Sequence, residues 1–525
     1  MRVKLIGRAP LVAAATALIL LTAACSGAVP ATTATSTSFP ANTAVPSGSW
    51  PYPNGNLAGT REATGSAISS SSVSRLREAW SLGLTGKPAA GVKSTGSFAA
   101  APVVTGGIVY IQDLYCNVYA VSLSTGKLTW EHQMNIPEVS GPGPNGVAVS
   151  GNVVYGDTPD SVFALNAETG KPLWVDSGLL DSGQGSFEIQ PAVAGGRVYL
   201  ASAYGSGSGG GILLALDASS GHLLWKFNTV AGGVSAGVGS LGLGSGGAWE
   251  TPLVGGDGTV TFSVGNPYQS IGSAISHPAR QLYTNSLVNL DAATGRLRWY
   301  YQALPDDFMD HDIQASPVST VVSGVPAIIG SGKLGYVYAI NASTGAVLWK
   351  TPVGVHNGTD SASVLALSHA FTPVFPYTYE PGALGGVLSN IAVADGSVYV
   401  ATIDLPFTLN GMSSVNGVPA ASAKPTGEVE ALSLTTGKVE WDTKVSTMPL
   451  GAATVSNDLV FTTLYTGELL ALNRATGAIV YTHKLPTSTN SPIAVFGNTL
   501  LVPAGGPPTS AGGGGNPQLI AYTVP

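Results

Sequence analysis

The sequence predicts an all-β protein, an eight-bladed β-propeller whose ring is closed by its N- and C-terminal strands. Three observations carry this. One thirteen-residue phrase recurs along the chain, its two halves stand separately at the chain ends, and the composition is turn-rich without long helical patterns.

The phrase occurs seven times: VYAVSLSTGKLTW (118–130), VFALNAETGKPLW (162–174), LLALDASSGHLLW (213–225), LVNLDAATGRLRW (287–299), VYAINASTGAVLW (337–349), VEALSLTTGKVEW (429–441) and LLALNRATGAIVY (469–481). Each copy reads as an alternating strand, a Thr/Ser-Gly turn and a short second strand ending in an aromatic residue. Glycine supplies the left-handed turn backbone that other residues resist, and the period-2 alternation fits strands with two different faces. Further strands precede most copies, as in GGIVYIQDL, GGRVYLASA and DGSVYVATI. The unit is therefore a four-stranded antiparallel sheet. PQLIAYTVP at the C-terminus holds the first half of one more phrase, and SRLREAWSL near the N-terminus holds the second half, ending at Trp80. Joining them completes an eighth unit. Sheets packed radially in a ring leave only short protected edges, and the aromatic at each phrase end is placed to bury its area between neighbours.

The ends and the charge bound what the protein does. The N-terminus, MRVKLIGRAPLVAAATALILLTAAC, has a basic start, an apolar run of roughly fifteen residues and small residues before Cys25, the pattern of a secretory signal. LTAAC resembles a bacterial lipobox with Cys25 as the lipidated residue. The expected organisation is a signal peptide over 1–24, lipidated Cys25 and a Ser/Thr/Ala/Pro tether over 25–48, and a propeller over 49–525. The expected location is the cell envelope, outside the cytoplasm, with the membrane reached through the N-terminal lipid alone. Cys116 is the other cysteine of two, which excludes a disulfide framework. The formal charge of −7 becomes −10 once Arg2, Lys4 and Arg8 leave with the signal, so nucleic acid is not expected as a partner.

Acid is concentrated at one place. WYYQALPDDFMDHDIQASP (299–317) holds four aspartates between Asp306 and Asp312 in a chain of 10% charged residues. Grouped carboxylates can take a proton or hold a cation. Carboxylates grouped at a metal stay ionised because the cation offsets their repulsion.

The repeat resembles the tryptophan-docking repeat of the pyrroloquinoline quinone (PQQ) propeller superfamily, and WPYPNGNLAGTREA (50–63) looks like the mature start of quinoprotein alcohol dehydrogenases. Four segments carry the resemblance in chain order. In GGAWETP (246–252), Trp249 matches the aromatic floor under the quinone. In VTFSVGNPYQSIG (260–272), Asn266 matches the asparagine whose carbonyl oxygen binds the metal. In the acidic stretch, Asp310 matches the catalytic base and a metal ligand, and Asp312 matches the extra metal-binding aspartate of the lanthanide-using branch. In GSGKLGYVYAI (330–340), Lys333 matches the basic residue that holds the quinone oxygens. The resemblance implies PQQ, Ca²⁺ or a lanthanide, a small alcohol substrate and a separate electron acceptor, since no C-x-x-C-H haem motif is present.

The chain departs from the pattern in four respects. Met309 and His311 replace aromatics, the adjacent cysteine pair is missing, and the metal-binding glutamate falls on Ser206 in SAYGSGSGGGILLALD. Glu188 is the nearest acid to that stretch and has no matched role. Some members of the superfamily are non-catalytic envelope scaffolds, so an adhesive or scaffolding propeller lipoprotein is the alternative, and a binder of PQQ or another ligand without turnover is a third.

Overall fold

A computed structural model describes residues 49–63, 65–84, 97–134, 136, 143–203, 210–230, 246–506 and 516–525. The signal, Cys25, the tether and Ser206 lie outside them.

The described residues form eight antiparallel sheets of four principal strands. The first comprises Val103–Thr105, Ile108–Gln112, Val118–Ser122 and Leu128–His132. The next six follow in chain order, beginning at Ala148–Ser150, Ala192–Ala194, Leu253–Val254, Val318–Val322, Ala392–Ala394 and Thr454–Ser456. The last sheet takes its outer strand, Arg77–Gly83, from near the N-terminus and Ala494–Phe496, Thr499–Ala504 and Gln518–Thr523 from the C-terminus. Trp80 pairs with Ala521 in that sheet, where the two half-phrases meet.

The phrase folds as read. In every copy the glycine of the Thr/Ser-Gly turn has a left-handed backbone, with φ between +66° and +78° from Gly126 to Gly477. The aromatic that ends one sheet rests on the turn of the next. A Cβ added at Gly126, Gly170, Gly221, Gly295, Gly345, Gly437 or Gly477 would lie within 3 Å of the ring of Trp80, Trp130, Trp174, Trp225, Trp299, Trp349 or Trp441 respectively. Each indole Nε1 also donates to a turn carbonyl of that next sheet, for example Trp80 to Leu123 at 2.7 Å, Trp299 to Ala342 at 2.7 Å and Trp441 to Arg474 at 2.9 Å. Glycine is required here for its missing side chain as much as for its backbone. The alternation in the third strand of each sheet separates two buried faces, one for each neighbour: Val118–Tyr119–Ala120–Val121 is buried throughout, whereas the edge strand Leu128–His132 is largely open.

The segment 50–63 crosses the inner strands. Its carbonyls at Trp50, Ala58, Thr60 and Arg61 accept from Val104, Ser319, Val393 and Val455, which belong to four different sheets. Arg61, fully buried, donates from Nε to Ala453 O at 2.9 Å and from a terminal nitrogen to Ile493 O at 2.7 Å. It lies 5.6 Å from the Trp50 ring centroid. The opening motif thus ties together the first strands of four sheets. Inserted segments 354–391 and 405–425, on either side of the strands Ala392–Ala394 and Ser397–Asp404, add a short helix, Ala362–Leu367, and a small sheet of Tyr377–Tyr379, Phe407–Leu409 and Val418–Pro419. Among the described residues no helix is long and apolar enough to cross a membrane.

Candidate active site

The acidic stretch is the turn after the strand Leu297–Gln302, and its four aspartates have four different surroundings. Asp307 builds the turn: its carboxylate accepts from the backbone N–H of Met309 at 2.9 Å and of His311 at 2.7 Å, and from Asn285 Nδ2 at 3.2 Å. This holds Asp310 at φ +63°, a left-handed conformation rare outside glycine. Asp306 is buried against Gln269, which donates to it. Asp312 is buried and accepts from the Asn266 backbone N–H at 2.6 Å. Of the four, Asp310 alone lines a cavity. Met309 and His311, the two departures from the family pattern, belong to the packing of the inserted segments. Met309 is fully buried in the cluster with Tyr379 and Phe407, and His311 Nε2 lies 2.8 Å from Pro381 O.

Lys333 follows the strand Val325–Ser331 and is nearly sealed from solvent. Its ammonium lies 3.1 Å from Asp310 Oδ2 and 2.6 Å from Asp312 Oδ2. Burial alone would lower its pKa, but the two carboxylates outweigh that and hold it well above the lysine range. Asp310 is pushed well above the carboxylate range, first by burial and then by repulsion from Asp312, although Lys333 pulls the other way. Asn266 Nδ2 donates to Asp310 Oδ1 in a short contact, and Asn266 Oδ1 accepts from the Tyr268 backbone N–H at 2.8 Å. The sequence reading put the carbonyl oxygen of Asn266 on a metal; in this structure its amide nitrogen faces the Asp310 carboxylate, which accepts, and its carbonyl oxygen takes the Tyr268 N–H.

Trp249 stands outside the docking series. It closely approaches Gly265: a Cβ there would lie 3.0 Å from its ring and 2.6 Å from Asp312 Oδ1, so only glycine fits between them. Trp249, Asp310 and Lys333 line one cavity of about 600 Å³, within the range of small-molecule sites. Asn266 and Asp312 sit directly behind Asp310 and Lys333. All five side chains singled out beside Cys25 therefore meet in one place, drawn from two consecutive sheets, those beginning at Leu253–Val254 and Val318–Val322, and the segments leading into them.

The sequence reading named Glu188 without a role and missed Glu250; Glu188, buried, and Glu250, half-buried, line the same cavity. Glu250 follows Trp249 directly, which was the available signal. Its carboxyl is pushed up to about 7, chiefly by burial, with Asn390, Ser316 and Arg61 pulling it down.

The donor set can be tested against a hard cation. Asp310, Asp312 and Asn266 offer two carboxylates and an amide, the oxygen chemistry Ca²⁺ or a lanthanide requires, and the Lys333 ammonium already stands between the two carboxylates as a cation. A third acidic ligand is lacking: among the described residues no three His, Cys, Asp or Glu side chains form a metal-binding group. The arrangement fits a cation held by Asp310, Asp312 and the Asn266 amide turned over, with Trp249 offering a flat apolar face to a planar ring.

Comparison with known proteins places this geometry. The profile of the glucose/ethanol/alcohol dehydrogenase β-propeller domain matches residues 50–354. The chain belongs to the PQQ β-propeller family. Two relatives of this PQQ propeller are the quinoprotein alcohol dehydrogenase PedH of Pseudomonas putida, 26% identical over 449 residues that cover 78% of this chain and 71% of that protein, and the quinohemoprotein alcohol dehydrogenase of Comamonas testosteroni, 26% identical over 508 residues that cover 84% and 69%. Among solved structures, a europium-containing methanol dehydrogenase superposes with a TM-score of 0.74 at 18% identity, covering 91% of this chain and 98% of that one. Residues 425–523 also match the profile of the outer membrane protein assembly factor BamB, and BamB from Moraxella catarrhalis superposes with a TM-score of 0.51 at 14% identity, covering 85% of this chain and 97% of that one. At these identities the structural likenesses establish the all-β propeller fold.

Proposed function

We propose that this PQQ propeller is a PQQ-dependent dehydrogenase that oxidises an alcohol or related hydroxyl compound. The observation that carries the reading is the meeting of Asp310, Lys333 and Trp249 on one cavity, with Asn266 and Asp312 behind them. When bound, PQQ supplies the two-electron acceptor for the hydride that leaves the carbinol carbon. Asp310 is the base. Its carboxylate, ionised when a cation is bound beside it, would take the hydroxyl proton. Lys333 fixes Asp310 and offers its remaining N–H to quinone oxygens. Trp249 supports the flat ring and keeps water from that face. Asp310, Asp312 and Asn266 would hold Ca²⁺ or a lanthanide. Electrons leave to a separate acceptor.

The eight sheets form one closed ring of blades in this reading. The terminal sheet closes it, through Trp80 on Gly126 on one side and His483, 5.0 Å from Tyr522, on the other. The N-terminal pattern at 1–24 and Cys25 supports export and lipid anchoring, with 25–48 as tether.

The test is titration of the purified protein with PQQ in the presence of Ca²⁺ or La³⁺, followed by tryptophan quenching, then dye reduction with primary alcohols. Binding weakened in Asn266→Ala and Lys333→Ala, with dye reduction in the unaltered protein, is expected. Absence of PQQ binding with either metal overturns the reading and leaves a scaffold or binding propeller.

A further inference from the structure

The cavity has two kinds of wall. Among its described lining residues the charged ones, Glu188, Glu250, Asp310 and Lys333, fall between positions 188 and 333, together with Trp249. Those between positions 384 and 465 carry no charge, and they include the long apolar side chains of Leu384, Leu388, Leu405, Met448 and Leu450. Leu405 and Met448 are buried in one apolar cluster, with Leu388 and Leu450 packed against it. Leu384 is 47% exposed, an apolar side chain on the cavity that the protein leaves half uncovered.

The apolar wall is fastened to the acidic turn. His311 Nε2 lies 2.8 Å from Pro381 O, and Gln314 Nε2 donates to Leu388 O at 2.7 Å. From the other side the Val387 N–H donates to Gly332 O at 3.1 Å, and a Cβ added at Gly386 would meet Lys333 O, so only glycine fits there. His311 and Gly332 are the chain neighbours of Asp310 and Lys333. Segment 381–388 is therefore pinned on both sides of the base, and Leu384 and Leu388 stand on it. Asp310, Lys333 and Trp249 all belong to the first wall, which leaves the second to the substrate.

We propose that the substrate of this cavity is a hydroxyl compound with an extended apolar body, and that Leu384 and Leu388 select it. The proposal rests on the dehydrogenase reading for the word substrate, but the apolar site itself does not need it. The hydroxyl meets Asp310 while the body lies along the uncharged wall. Selection follows from transfer out of water: each methylene laid on that wall is stabilised, whereas a second hydroxyl there is buried without a partner.

The experiment compares 1-octanol with 1,7-heptanediol, of the same length, in which a second hydroxyl replaces the terminal methyl. Calorimetric titration of the cofactor-free protein measures binding, and dye reduction by the PQQ- and metal-loaded protein measures kcat/KM. Octanol is expected to lead the diol roughly tenfold or more in both, and kcat/KM to rise roughly threefold for each methylene from ethanol to hexanol. Leu384→Asn, similar in size but polar, is expected to lower both ratios, and Leu384→Met to keep them; the thermal midpoint of each variant reports that it has folded. Equal binding of octanol and the diol, or an octanol preference that survives both Leu384→Asn and Leu388→Asn, overturns the proposal. So does a Leu384→Asn protein that loses affinity for PQQ while its octanol preference stands, since the wall then serves the cofactor. Octanol binding through Leu384 without any dye reduction sustains the apolar site and sinks the dehydrogenase reading. Oxidation of ethanol with no advantage for octanol does the reverse.

Discussion

Replacing Lys333 by methionine keeps the length of the side chain and removes the charge between Asp310 and Asp312. The magnitude follows from burial. The Lys333 side chain is 9% exposed and that of Asp312 0%, so solvent cannot take over the lost interaction. Removing one partner of a buried ion pair costs about 3–5 kcal/mol, because the other is left charged and uncompensated. That is roughly a hundred- to several-thousand-fold shift in the folding equilibrium. The loss depends on pH in a determined direction. Asp310 binds its proton more tightly in the folded state than in the unfolded chain, so protonation favours folding below the unfolded carboxylate range, and this help fades as pH rises through the raised folded value. Without Lys333 the folded value rises further. Guanidinium unfolding of the wild type, Lys333→Met and Lys333→Arg at pH 8 and pH 5.5 checks this. Lys333→Met should lose most of its stability difference at pH 8 and recover part at pH 5.5, Lys333→Arg should lose little, and adding Asp310→Asn to Lys333→Met should restore part of the loss at pH 8. A Lys333→Met protein as stable as the wild type at pH 8, or equally weakened at both pH values, would refute the coupling described for these three residues.

Other outcomes follow from the same reading. Asp310→Asn in the loaded enzyme should lower turnover by roughly 10²–10⁴-fold, while its unfolding midpoint stays equal to or above that of the wild type, since a neutral amide is easier to bury. Trp299→Ala should destabilise by about 3–5 kcal/mol through the empty space left against Gly345, and Trp299→Phe by about 1 kcal/mol beyond its packing change through loss of the bond to Ala342 O, both read from denaturant midpoints. Glu430 is pushed up to about 8, chiefly by burial and then by Glu428 and Asp442, with the Gly354 N–H opposing. Its folded carboxyl holds a proton that the unfolded chain releases at ordinary carboxylate pH, so stability should fall from about pH 4.5 to about pH 8 and level off above, and Glu430→Gln should flatten that slope.

The parts of the molecule legible in the sequence are those where local chemistry and fold coincide. The Thr/Ser-Gly turn needs its glycine for left-handed backbone and for the indole resting on it, so the repeat records the docking of neighbouring sheets. Asp310, Lys333 and Trp249 were legible through flanking residues that match a family, and the structure brings them together. The separate tasks of Asp306, Asp307 and Asp312 were not legible, because a string of aspartates does not show which one receives backbone N–H groups. Nor were Glu188 and Glu250: Glu188 comes from the sheet before those that carry the matched residues, and only the radial packing turns it toward the same space. The orientation of the Asn266 amide depends on what stands opposite it, which no residue spacing records. The reach of segment 50–63 across several sheets was hidden for the same reason, its partners lying hundreds of positions downstream.

The sheet shared by both chain ends sets a schedule for biogenesis. The strand Arg77–Gly83 finds its partner only in Gln518–Thr523, so it leaves the ribosome early and waits for roughly 430 residues of synthesis, about 20–90 s at ordinary elongation rates. Throughout that interval the strand is an unpaired edge, and a prematurely terminated chain keeps it so permanently. The strand Gln518–Thr523 therefore completes a sheet begun roughly 430 residues earlier, and a nascent or truncated chain that lacks it is where chaperones and proteases would first find the molecule vulnerable.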